Sequence, residues 1–458
     1  MRLFRIAGKS VAISAALFAV GLLAGGPLSA SDPAVVVTPA QVELSGNFAR
    51  AQLLVARAGA DGSATQRSDD LTTQATYATS NATIVTVSES GQLLAVGNGE
   101  AKVTATVNES RVEVPVTVRG VTENPHVGFS ESIRPILNKA GCAMAACHAA
   151  QHGKGGFKLS VFGFEPDKDR DAMARESLAR RISLVEPERS LLLLKPTMQT
   201  PHGGGKRLEK GSVDYQILLG WIAAGTPAPK KDDPEVVKLT VTPPMRVGQA
   251  GLTQQLRVVA DYSNGTSRDV TASARYDSLD DGVVTVSTSG YVTAIGKGQA
   301  AVMVRYEGQA AISLLVMPYA DRVELTGWQS NNFIDDLAAT KFRELGIEPS
   351  PLGDDATFIR RAYLDAIGTL PTPEETTAFL ASADSNKRTR LVDRLLGISA
   401  DPAENTFNDA YAAWWSLKWS DLLRNNSADL GEQGMWAMHN WIRQSLLANK
   451  PFDKFVRE

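Results

Sequence analysis

Apolar and polar residues alternate over Val85-Thr86-Val87-Ser88 and again over Val103-Thr104-Ala105-Thr106-Val107, with Ser90-Gly91 between the two runs. A period of two bounded by a turn signal marks half-buried β-strands. The surrounding stretch, from Tyr77 to Val107, returns from Tyr276 onward at a constant offset of 199. Val85, Val87, Gly91, Gly97, Gly99 and Ala101 fall on Val284, Val286, Gly290, Gly296, Gly298 and Ala300. One β module is therefore used twice, over 33–118 and 235–317, around an inserted middle.

In that middle, 124–229, the spacing becomes helical. Ser130 is expected to cap a helix that carries Ile133, Ile136 and Leu137 on one face. Ser212 is expected to start another, with Val213, Ile217, Trp221 and Ile222 as its apolar stripe and Gly225 and Pro227 as its stop. Helical spacing returns over 330–458, where Thr372-Pro373-Glu374-Glu375 reads as a capping box with proline at the first helical position. Five of the seven tryptophans lie between Trp414 and Trp441, where core packing explains them more simply than a sugar-stacking platform. The expected fold class is multidomain: two all-β sandwiches, one mainly α middle domain and one mainly α C-terminal domain.

Arg2, Arg5 and Lys9 precede an apolar run from Val11 to Leu23 and a small-residue exit at Leu28-Ser29-Ala30, the layout of a cleavable export signal over 1–30. The run falls short of the ~20 residues that span a bilayer, so no transmembrane span is expected after cleavage. The chain is thus expected in the periplasm or on the cell surface. With 47 basic against 50 acidic residues and a net charge of -3, it lacks the basic field that nucleic acid would call for.

The only two cysteines, Cys142 and Cys147, stand directly before His148. A helix, a cysteine pair followed by histidine, a long loop region and a closing apolar helix form the outline of a small c-type cytochrome. Two sulfurs would join haem vinyl groups as thioethers, and the adjacent imidazole would take the iron. For the second axial position the sequence offers His202 and Met198; His152 is too near His148 to reach the other haem face. Leu159, Val161, Phe162, Phe164 and the Leu191–Leu194 run are expected as pocket walls, and Lys154 and Lys158 as contacts for a redox partner. Three other uses of the cluster stand beside haem. A Cys142–Cys147 disulfide suits an exported chain, zinc would have the right donor types at an unusual spacing, and a thiol nucleophile would lack an orienting acid.

Val286–Val304 and its first copy resemble the bacterial Ig-like group 2 domain, a resemblance that implies spacer or adhesive modules without reactive side chains of their own. GCAMAACHAAQHGKGGFKLSVFGFEPD, ERSLLLLKP, PHGGGKR and LLGWIAAGTP together resemble the planctomycete-type cytochrome c domain, in the variant with four residues between its cysteines rather than the usual two. That resemblance implies haem c on Cys142 and Cys147, His148 as axial ligand and His202, at Pro201-His202, ahead of Met198 for the sixth position. Phe333-Ile334-Asp335, Arg360 to Asp365, Leu370 to Glu375 and the closing PFDKFVRE resemble the DUF1549 family, of unknown role, in a copy that stops where relatives continue. The leading expectation is an exported electron-transfer protein serving a redox partner protein or its own C-terminal domain. The alternative is a non-enzymatic surface scaffold with a disulfide in place of haem, binding a surface glycan. A third reading, a polysaccharide-related enzyme in the C-terminal region, finds no nucleophile triad and no metal-ligand cluster there.

Overall fold

The computed structural model describes residues 35–125 and 127–458, so the expected leader at 1–30 lies outside the described residues. The first alternating region forms strands β1 (Val35–Thr38), β2 (Val42–Ser45), β3 (Arg50–Gln52), β4 (Leu54–Arg57), β5 (Thr76–Thr79), β6 (Val85–Val87), β7 (Gln92–Ala95), β8 (Gly99–Val107) and β9 (Ser110–Arg119). They pair as β2-β9-β8-β5, β3-β7-β6 and β1-β4, with only β2 and β9 parallel. The period of two does the sorting: Val103, Ala105, Val114 and Val116 point inward, while Lys102 and Glu113 meet as an ion pair on the solvent face.

Helices α1 (Arg134–Lys139), α2 (Pro166–Ala174), α3 (Leu191–Leu194) and α4 (Val213–Ala223) make the middle module. Their core is Phe129, Ile133, Leu159, Met173, Leu193, Trp221 and Ile222. Ser212 caps α4 as expected, accepting from the Tyr215 N–H. Ser130 does not cap α1; it lies inside a π-type turn, Phe129–Ile133, that feeds the helix, although Ile133, Ile136 and Leu137 are buried as the spacing predicts.

The second β module repeats the first: β10 (Val236–Thr242), β11 (Met245–Val247), β12 (Thr253–Gln255), β13 (Arg257–Tyr262), β14 (Ser267–Asp269), β15 (Arg275–Ser278), β16 (Val284–Val286), β17 (Tyr291–Ala294), β18 (Gly298–Tyr306) and β19 (Gln309–Met317). Its sheets, β11-β19-β18-β15 and β12-β17-β16, reproduce the order of their counterparts, again with one parallel pair, β11 with β19. The duplication therefore extends to topology. Helix α5 (Phe333–Leu345) follows, and the Tyr319 N–H donates to the Leu345 carbonyl, so α5 folds with the second β module rather than with the helices after it.

The two β modules touch. Gln52 and Gln255 are equivalent, as are Asp70 and Asp269, and the bonds are reciprocal: the Gln52 N–H donates to Asp269 Oδ2 (3.1 Å) and the Gln255 N–H to Asp70 Oδ2 (2.6 Å). Such self-complementary contacts are those of an isologous dimer, here within one chain. Arg50 on β3 ties in the middle module, reaching Asp214 of α4 and Ser273 Oγ at 3.0 Å each. The β modules are thus a packed pair carrying the middle module.

Residues 349–458 form a second compact unit. It contains α6 (Asp355–Ile367), α7 (Pro373–Ala381), α8 (Lys387–Leu396), α9 (Asn408–Leu422), α10 (Ser427–Leu447) and α11 (Phe452–Arg457) around Ile359, Tyr363, Ile367, Leu391 and Leu395. Thr372 and Glu375 close the expected capping box on α7. Trp419 and Trp441 pack on Phe455, and Trp415 Nε1 donates to the Ala366 carbonyl, so these rings are packing elements rather than a flat sugar platform. Arg361 and Asp365, one turn apart on α6, form no ion pair with each other among the described residues.

Candidate functional site

After α1 the chain reverses at Gly141 (φ +76) into the cysteine loop. The Cys142 N–H donates to the Leu137 carbonyl (2.9 Å) and the His148 N–H to the Cys142 carbonyl (3.1 Å), which folds the four intervening residues into a compact turn and brings Cys142 next to His148. The chain then runs out and back: the Leu159 N–H donates to the His148 carbonyl (2.8 Å), and Phe157 returns its ring to within 4.6 Å of the imidazole. That return needs Gly153, whose Cβ would stand 2.1 Å from the Phe157 carbonyl oxygen.

The Phe157 carbonyl accepts from His148 Nδ1 at 3.1 Å, and the Gly205 carbonyl accepts from His202 Nδ1 at 2.8 Å. Each bond assigns the ring proton to Nδ1 and leaves Nε2 as the basic nitrogen, the arrangement that prepares a histidine to ligate. The two ring centres are 6.3 Å apart, with planes 15° from parallel. A metal–imidazole bond is about 2.0 Å and the nitrogen sits about 1.1 Å from its ring centre, so two imidazoles on opposite sides of one ion have centres about 6 Å apart.

Cys142, Cys147, His148 and His202 all line one cavity of about 800 Å³, within the ~300–1,000 Å³ usual for cofactor-sized ligands. Met198 is not in the lining; it stands at φ +60 with its side chain turned outward, 48% exposed. His152 is exposed, as expected of it. Of the expected walls, Leu191 and Leu192 are in place, whereas Leu159 and Leu193 belong to the core behind. Val161, Phe162 and Phe164 are turned to solvent by a three-residue turn in which Phe162 takes φ +55. Ile136, Leu137, Phe157, Leu208 and Leu218 supply the apolar wall instead. Lys154 lines the cavity and Lys158 does not.

The lining contains Lys154, Arg180, Arg181, Lys195 and Arg207 and no carboxylate, in a chain whose net charge is -3. The site is therefore locally cationic and suited to an anionic occupant. Burial, with Cys147 close by, pushes the Cys142 thiol up to about 11, so it is a neutral thiol rather than a nucleophile near pH 7. Burial also pulls His148 down, although its bond to Phe157 acts the other way, and this favours the neutral imidazole that ligation requires. Both thiols are unlinked, and among the described residues no three His, Cys, Asp or Glu side chains converge as a metal donor set. Sequence reasoning missed Phe157 and Arg181; the glycines before Phe157 were the available signal that this segment approaches something closely.

Residues 235–307 match the bacterial Ig-like domain (group 2), and residues 333–458 match a family described as protein of unknown function (DUF1549). Ice-binding protein 1 of Shewanella frigidimarina is 30% identical over 107 residues, 23% of this chain and 12% of that protein. An S-layer-related protein of Niallia circulans is 44% identical over 61 residues, 13% of this chain and 4% of that protein. The chain thus spans a small part of either relative's length. Among solved structures, domains 5–6 of the S-layer protein SbsC align at 12% identity over 62% of this chain and 99% of that one, with a TM-score of 0.25. No helix among the described residues is long and apolar enough to cross a membrane.

Proposed function

We propose that this is an exported or cell-surface protein whose middle module holds haem c for electron transfer, carried on a packed pair of Ig-like modules. The observation that carries the reading is the imidazole pair: His148 and His202 face one cavity, their centres 6.3 Å apart, each with Nδ1 committed to a backbone carbonyl. Cys142 and Cys147 would hold the haem through thioethers, His148 and His202 would ligate its iron, and the cations of the lining would meet its carboxylates. When bound, the group supplies a reversible one-electron couple. The chain's own part is to orient two neutral imidazoles and to exclude water with Ile136, Leu137, Phe157 and Leu218. Export is supported by the 1–30 signal layout and by the match to bacterial Ig-like domains, together with the S-layer-related and ice-binding relatives.

The test is biogenesis in a periplasm equipped for cytochrome maturation. The mature chain is expected to gain about 616 Da and to show a Soret band that survives denaturation. The widened cysteine spacing favours a second reading, a scaffold closed by a Cys142–Cys147 disulfide. A colourless product about 2 Da lighter than the reduced polypeptide would establish that reading and overturn the first.

A further inference from the structure

Of the five cations lining the cavity, only Arg181 is buried. A buried guanidinium needs compensation; the Glu176 carboxylate acts on it only from beyond ion-pair distance, against the neighbouring Arg180, so most of the compensation comes from hydrogen bonds. Nη1 donates to the carbonyls of Ala172 (2.8 Å) and Glu176 (3.3 Å), and Nη2 to the Gly156 carbonyl (2.7 Å) and Ser177 Oγ (3.4 Å). The same guanidinium lies 4.7 Å over the Phe157 ring, whose other neighbour, at 4.6 Å, is the His148 imidazole. Arg181 therefore grips both parts of the Gly156-Phe157 segment, carbonyl and ring, and the next carbonyl of that segment is the acceptor for His148 Nδ1.

We propose that Arg181 is a positioning residue for His148: by clamping Gly156-Phe157 it fixes the carbonyl that holds the Nδ1 proton, and it places a positive charge that no direct ion pair neutralises behind that ligand. The planar fork is what the geometry uses, since one face stacks while the edge donates to several carbonyls; a lysine ammonium keeps the charge but lacks the flat face and fixed edge that do both at once. The charge half of the proposal rests on the haem reading, because a nearby cation disfavours the more positive oxidation state of a bound iron. The clamping half does not.

The full chain with Arg181→Gln and Arg181→Lys separates the two halves. Solvent exchange of the His148 Nδ1 proton, read by nitrogen–proton correlation spectroscopy in the reduced protein, is expected to quicken at least tenfold in both variants. The Nδ1 proton of His202, held by Gly205 on a different segment, should keep its rate; general loosening of the module would move both histidines together, and that result would overturn the proposal, as would an unchanged His148. In haem-bearing protein the midpoint potential is expected to fall by about 59 mV in Arg181→Gln, a tenfold change in the one-electron equilibrium, and to hold in Arg181→Lys. A wild-type chain without haem would defeat the functional reading while leaving the exchange comparison to decide the clamp, and Arg181→Lys keeps that comparison available should Arg181→Gln not fold.

Discussion

His202 and Met198 sit on the same loop and are both chemically able to complete an axial pair, and local backbone geometry separates them. Met198 takes a left-handed conformation that turns its thioether outward, whereas the turn closed by the Gly205 N–H on the His202 carbonyl sets the imidazole into the cavity. Gly204 allows this, since a Cβ there would stand 2.9 Å from His202 Cε1. His202→Ala is therefore expected to convert a low-spin spectrum to high-spin, while Met198→Ala leaves it low-spin; visible and electron paramagnetic resonance spectra of the two variants make the comparison. The reverse outcome would assign the sixth position to the methionine.

Among elements, β3 and β12 carry the reciprocal part of the contact between the β modules. Each presents a buried glutamine, Gln52 or Gln255, whose N–H meets the aspartate of the other copy, while that aspartate also takes the N–H of its own Thr72 or Thr271 at 3.1 Å. Removing the acceptor leaves a buried N–H without a partner, at about 1–3 kcal/mol. Asp70→Ala and Asp269→Ala are each expected to lower the melting temperature of the first compact unit, Asp269→Ala by more because it also leaves Arg257 without its ion pair (2.8 Å); a silent Asp70→Ala would show that the contact does not hold the pair. The strands themselves were legible, because a period of two and a 199-residue repeat report on one face of a sheet without reference to anything distant. The pairing of modules was not, since Asp70 and Asp269 look like ordinary turn residues until both copies are placed. The cavity was legible in four of its lining residues, Cys142, Cys147, His148 and His202, but not in its walls. Hydrophobicity nominated Phe164, which is 88% exposed, and passed over Arg181, whose charge hides its packing role.

Across the first compact unit, ion pairs link the three modules, beside apolar contacts such as Phe48 against the middle module's core. Arg50 and Lys139 converge on Asp214, Arg268 reaches Glu131, and Arg134 of α1 pairs with Glu307 at the β18–β19 turn. Glu307 is the most strongly perturbed of these: burial raises its carboxyl from 4.5 to about 7, and the Arg134 guanidinium only partly offsets that, with Arg268, Glu131, Tyr262 and Tyr306 as the other ionisable groups around it. Asp70 and Asp269 at the contact between the β modules are raised for the same reason. A carboxyl whose pKa is higher in the fold than in the unfolded chain binds more protons when folded, so its contribution is full below the unfolded value and is lost as pH rises through the folded one. For Glu307 that window runs from about 4.5 to about 7 and is worth about 3 kcal/mol. Urea unfolding of the first compact unit should therefore show stability falling across that interval, and Glu307→Gln, which keeps the shape but cannot ionise, should flatten the slope. The absolute level is a poorer measure, because the variant also leaves Arg134 without its carboxylate at every pH. A wild-type slope equal to that of Glu307→Gln would mean that Arg134 holds the carboxylate ionised throughout, and the modules would then be joined by a permanent ion pair instead of a contact that weakens as pH rises to neutrality.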